Sequence, residues 1–164
     1  MRTYNNFLLL LALLFIFSCT DQEDFEPQNL IGTWENSFYS EFLNLDHVDT
    51  YLFDNNGEYI RYTGYRITGS SNFLGYTMYL EGSYILSGNE ILLKEEKRLA
   101  HLGEEAYNEI EGLSEVEKIA EVPASLAFKN KGKVLEITTT CNPLLSSSCI
   151  PVTAYNKVDF ISPF

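Results

Sequence analysis

From Leu30 onward the chain alternates apolar and polar residues in short runs broken by turn-forming residues. Tyr51 and Phe53 share one parity, and so do Leu74, Tyr76, Met78, Leu80, Tyr84 and Leu86. The same holds for Ile91 and Leu93, for Leu135 and Ile137, and for Val152, Ala154, Val158 and Phe160. Successive side chains of a strand point to opposite faces, so each run predicts a strand with one buried face. Between the runs stand Asp54-Asn55-Asn56-Gly57, Gly69-Ser70-Ser71-Asn72, Ser87-Gly88-Asn89 and Lys129-Asn130-Lys131-Gly132. Asn and Gly tolerate the positive φ that tight hairpins need. The punctuation predicts eight strands, at residues 30–39, 48–53, 58–68, 74–86, 90–97, 124–128, 133–140 and 152–160. Eight antiparallel strands in chain order can close into an up-and-down barrel, which leaves no exposed edge. Gly75 and Gly82 interrupt the longest run and predict bends or bulges there.

Residues 99–122 break the alternation. They carry seven glutamates, at 104, 105, 109, 111, 115, 117 and 121. Ser114 followed three residues later by Glu117 reads as a capping box, and Pro123 would stop a helix. A short helical insertion is therefore expected, with one helix near 115–120, another near 104–110, and Gly112 between them. It would serve as a solvated connection or as a lid across a barrel mouth.

The amino terminus has a different character. Eleven apolar residues, 7–17, follow a polar stretch containing Arg2 and lead into Ser18-Cys19. That run is too short to span about 30 Å of hydrocarbon and reads as a secretion signal. Ile16, Ser18 and Cys19 resemble the lipobox of bacterial lipoproteins. The resemblance implies cleavage after residue 18 and lipidation of Cys19, with acyl chains holding the protein on the cell envelope, at the outer membrane. Residues 20–28 carry four acids and no base, which predicts a disordered tether. Acids just after the cysteine also resemble the surface-export signal of lipoproteins in some Gram-negative bacteria. The domain organisation expected is a signal at 1–18, a tether at 19–29 and a folded domain at 30–164.

About 146 residues remain after such cleavage, enough for one domain with its own core. Without Arg2, ten basic residues stand against 23 acidic ones. So acidic a surface disfavours nucleic acid and anionic headgroups. With Cys19 committed to lipid, Cys141 and Cys149 form an even pair flanking seven residues. In an oxidising compartment they are expected to form a disulfide that staples a long loop, worth about 2.5 kcal/mol in the chain-entropy model.

Gly32-Thr33-Trp34, opening the first strand, resembles the Gly-x-Trp signature of lipocalins and the wider calycin group. The later pattern is similar to bacterial lipocalin-like lipoproteins: Tyr51-x-Phe53 before a Gly-containing turn and Tyr59, then Gly82-x-Tyr84 with Gly88-Asn89-x-Ile91, then residues 129–137 and a last strand around Tyr155. The resemblance covers roughly residues 30–160. It implies a lipocalin-like barrel closed at its narrow end by Gly32 and Trp34. The Thr-Asp-Tyr motif of typical lipocalins is absent, as is the late arginine that stacks on the tryptophan; Lys157 is the nearest base in the last strand.

A catalytic constellation is hard to assemble. His47 lies between Asp46 and Asp49 but has no nucleophile-elbow serine to serve, and reads as a polar loop residue. His101 falls in the glutamate-rich insertion. The turn 54–58 is explained by Asn-Gly rather than by calcium, and no metal or cofactor is expected. The expectation is a non-catalytic binding module for a small apolar ligand. Tyr51, Phe53, Tyr76, Met78, Tyr84, Leu93 and Ile137 are the candidate inward-facing residues. The alternative is an interaction lipoprotein with a side-chain-filled barrel that engages a protein or glycan.

Overall fold

The computed structural model describes residues 25–119, 121–139 and 152–159. The signal segment, Cys19, Cys141 and Cys149 lie outside the described residues, and so does Phe160. The strands are β1 (Gly32–Ser40), β2 (Leu45–Phe53), β3 (Glu58–Arg66), β4 (Phe73–Ser87), β5 (Glu90–Ala100), β6 (Ser114–Glu115), β7 (Val122–Lys129), β8 (Val134–Thr139) and β9 (Val152–Val158). Each of the eight predicted strands is present, and the two-residue β6 is additional.

Every pairing is antiparallel. β1 to β5 pair in chain order, β5 pairs β7, β7 pairs β8, β8 pairs β9, and β9 returns to β1 through Thr33↔Val158, Trp34↔Lys157 and Glu35↔Asn156. Eight strands thus form a near-ring in which each has two partners. The β2–β3, β4–β5 and β7–β8 turns lie at one end with the 3₁₀ turn Pro27–Leu30. The β1–β2 and β3–β4 connections and the exit of β5 lie at the other, the open end.

The turns form as their residues dictate. Gly57, Gly69, Gly88 and Gly132 have positive φ, as do Asn44, Asn130 and Lys131. The Asp54 Oδ1 accepts from the amides of Asn56 and Glu58, at 2.8 and 2.9 Å. That carboxylate is committed to its own turn.

The main core lies on the inner face of the ring and fills the closed end. Leu30, Trp34, Phe53, Tyr59, Leu126, Phe128 and Leu135 are buried there, and Phe25 stacks on Phe128 with ring centroids 5.2 Å apart. The Trp34 Nε1 donates to the Leu30 carbonyl at 2.7 Å. Above the indole sits the Lys157 ammonium, 5.0 Å from the ring centroid, donating to the Asn29 carbonyl at 3.0 Å. A second cluster forms on the outer face of β3 and β4, where Tyr62, Tyr79 and Leu113 are buried with Ile60, Phe73, Tyr76, Leu99 and Ile110 packed around them.

The expected helices do not form. No α-helix occurs among the described residues; the insertion holds only a 3₁₀ turn, Ile110–Gly112. The reason is an open ladder. β5 continues to Ala100, while β7 covers it only from Glu90 to Leu93. Ser114 and Glu115 take the uncovered edge opposite Ala100 and Leu99, and the Val116 amide donates to the Arg98 carbonyl at 3.1 Å. Asn108 exchanges two backbone hydrogen bonds with Tyr76, at 2.7 and 3.0 Å. Unmet ladder groups outweigh a modest capping preference.

Two inward assignments change for reasons of register. The β3–β4 ladder shifts between Thr63 and Gly64, so Thr63 opposes Met78 while Gly64 opposes Tyr76. The shift turns Tyr76 to the outer face against Tyr62 and Phe73, although its parity matches that of Met78. On β9 the inner set is Thr153, Tyr155 and Lys157, opposite Ile137, Leu135 and Trp34 respectively. Val152, Ala154 and Val158 alternate with that set and face out, and Val152 is 47% exposed.

Candidate ligand pocket at the open end

The inner face becomes polar as it approaches the open end. Asn36 and Phe38 on β1, His47, Asp49 and Tyr51 on β2, Arg61 on β3, Ile137 and Thr139 on β8, and Thr153 and Tyr155 on β9 line a pocket of about 370 Å³. The register explains the grouping, since Phe38 opposes His47 and Tyr51 opposes Arg61.

Its centre is a paired charge. Arg61 donates from Nε and Nη2 to the two oxygens of Asp49, both at 2.9 Å. The Tyr155 hydroxyl donates to the same carboxylate at 2.8 Å. The guanidinium lies 4.9 Å from the Tyr51 ring centroid, and Tyr155 meets Tyr51 edge-on at 5.3 Å. Bidentate charge-assisted hydrogen bonds fix both partners in plane. Burial pushes the Tyr51 hydroxyl up to about 12, and burial with the nearby Asp49 charge raises Tyr155 as well. Both phenols are therefore neutral donors at physiological pH. Deeper on the same face, Arg98 makes a second bidentate pair with Glu95, at 2.7 and 3.0 Å, and Glu95 also accepts from the Ile119 amide.

An aromatic row borders the mouth. Phe38 lies 4.8 Å from His47, His47 is edge-on to Tyr65 at 5.1 Å, and Tyr65 meets Tyr107 of the insertion at 5.9 Å. Burial lowers the pKa of His47, an effect that Asp49 partly offsets. The His47 Nδ1 is buried without a hydrogen-bond partner. Glu105, Ala106 and Tyr107 line a second cavity with Leu43 and Leu45, of about 480 Å³. The insertion thus borders the mouth at Tyr107 and covers the outside of β3 and β4 at Ile110 and Leu113.

The residues proposed from sequence do not all meet at one place. Tyr51, Phe53, Leu93 and Ile137 are buried in the main core, but only Tyr51 and Ile137 reach the pocket. Tyr84 packs on the core at the closed end, its hydroxyl donating to the Asp54 carbonyl at 2.6 Å. Met78 is half-buried opposite Ala100, and Tyr76 is on the outer face. Gly32 and Trp34 sit at the closed end, where a Cβ on Gly32 would come within 3.3 Å of Lys157 Cε. His47 is in mid-strand rather than in a loop.

Asn36, Asp49, Arg61, Thr153 and Tyr155 were missed because polar residues on a strand read as its outer face. One signal was present: Asp49 and Arg61 match the parity of the buried Tyr51 and Tyr59. Protein-family models, curated proteins and solved structures yield no match to this chain, so its site is read from its own geometry.

Proposed function

We propose that this protein is a lipid-anchored, non-catalytic binding module of the cell envelope, at the outer membrane, built on a lipocalin-like barrel that takes a small ligand at its open end. The resemblance of residues 16–19 to a lipobox supports the anchor. The ring of paired strands supports the barrel. So does Lys157 over Trp34, which occupies the place of the stacking arginine expected from the family resemblance.

The pocket of Asn36, Asp49, Arg61, Thr153 and Tyr155 carries the binding reading. A concave site with a few fixed polar groups against aromatic walls is the usual form of a small-molecule site. The filled closed end confines binding to the outer half of the ring and argues against a deep apolar cavity. A chemically diverse small-molecule library, read by amide hydrogen exchange on the purified full chain, tests this. Protection at Asn36, Asp49 and Thr153 by at least one compound is expected. Exchange there that no compound slows would reject the binding reading. A Cys19→Ser variant should leave the membrane fraction; retention there with the acyl label would reject the anchor.

A further inference from the structure

We infer that the pocket takes a neutral, hydroxyl-rich ligand of the saccharide class, an inference that rests on the binding reading above. Among the described lining residues the one carboxylate, Asp49, and the one guanidinium, Arg61, are joined bidentately, with Tyr155 donating to the carboxylate as well. His47 is held toward its neutral form by burial. An anionic ligand would have to take Arg61 from Asp49, and a cationic one would have to take Asp49 from Arg61. Either exchange leaves a partly buried charge without its partner, which is costly.

The hydrogen-bonding groups of the pocket both donate and accept. The Asn36 amide is oriented by its donation to the Ala154 carbonyl at 2.8 Å, which leaves its oxygen to accept. Arg61 bonds Asp49 through Nε and Nη2, which leaves Nη1 to donate. Thr139 and Thr153 add hydroxyls that can do both. A ligand suited to this set donates and accepts from several positions at once, as a polyol does. The Phe38 ring, 59% exposed at the mouth, supplies a flat face for its C–H surface.

The pocket is also shallow. Below Tyr51 the inner face is packed with Phe53, Tyr59, Leu126 and Leu135. Among the described residues this packing opposes the entry of an acyl chain, and about 370 Å³ suits a compact ligand. The apolar ligand expected from sequence is replaced in this inference by a polar one.

The test uses the purified full chain on an array of neutral mono- and disaccharides, on the same sugars bearing a carboxylate or sulfate, and in solution with a fluorescent long-chain fatty acid. The neutral sugars are expected to bind. Phe38→Ala and Thr153→Val should each weaken that binding about tenfold, with melting temperatures within about 4 °C of the parent. Preference for the acidic sugars, binding of the fatty acid alone, or neutral-sugar binding unchanged by both variants would overturn the inference. No binding to any of the three probes would also overturn it. The library experiment above separates the two failures: protection by a compound of another class would leave the pocket a binding site and reject the saccharide.

Discussion

His47 shows how one residue ties the pocket to pH. Burial lowers its pKa below the ordinary 6.5, so the folded state resists protonation more than the unfolded chain does. Its contribution to stability is present above that ordinary value and is lost as pH falls through the lowered native value. Urea midpoints measured from pH 7.5 down to 5 should therefore fall more steeply for the parent than for His47→Gln. Parallel curves would show that the ring takes up its proton equally well in both states. Trp34 and Lys157 make a second pair at this scale. Trp34→Ala should cost about 3–5 kcal/mol through the cavity left at the closed end. Lys157→Met should cost about 0.5–1 kcal/mol, because the ammonium is exposed. Chemical denaturation of the two single variants and the double variant gives their coupling. Gly32 and Trp34 are legible in the sequence as a motif, and Lys157 as the nearest base in the last strand. His47 is not, since an Asp-flanked histidine looks solvated until its strand neighbours Phe38 and Tyr65 are known.

Among the elements, the bulges and the insertion carry the main lessons. Gly82 is the clearest structural glycine: a Cβ there would lie 2.1 Å from the Lys94 carbonyl oxygen and 2.8 Å from the Tyr59 ring. The contact is with backbone, so Gly82→Ala should lower the free energy of unfolding, read by chemical denaturation, by about 2 kcal/mol or more. Gly88, with nothing near its Cβ, gives the comparison, since only its positive φ of 62° opposes an alanine. A smaller loss at Gly88 than at Gly82 is expected. The eight strands were legible because period two and Asn-Gly turns are local signals. The insertion was not, because its conformation is set by a distant free edge on β5. Leu113→Ala should cost about 2 kcal/mol by uncovering Tyr62 and Tyr79. If stability is unchanged, the insertion is not part of the second cluster's cover. Tyr76 illustrates the same limit: one bulge reversed a side chain that simple alternation had assigned inward.

At the scale of the whole molecule, one face of the ring divides into two environments. The closed end is apolar and filled, whereas the open end holds paired charges, amides and hydroxyls beside aromatic rings. The apolar half was legible in the sequence as alternation. The polar half was not, because its inward residues look like those on a solvated face, and only the pairing of Asp49 with Arg61 and Tyr155 shows why they can be buried. The ring itself has a kinetic consequence. Its closure between β1 and β9 joins the beginning of the domain to its end, and the hydrogen bond from Lys157 to Asn29 spans 128 positions. The hairpins β1–β2 through β4–β5 can form from near neighbours, but the seam cannot form until the last strand arrives. Loop-closure entropy makes such distant pairing slow. Refolding should therefore show early hairpin protection and late protection of Thr33, Glu35 and Tyr155 in pulsed hydrogen exchange. A chain truncated before β9 should fail to reach the native state at all, however complete its first eight strands are.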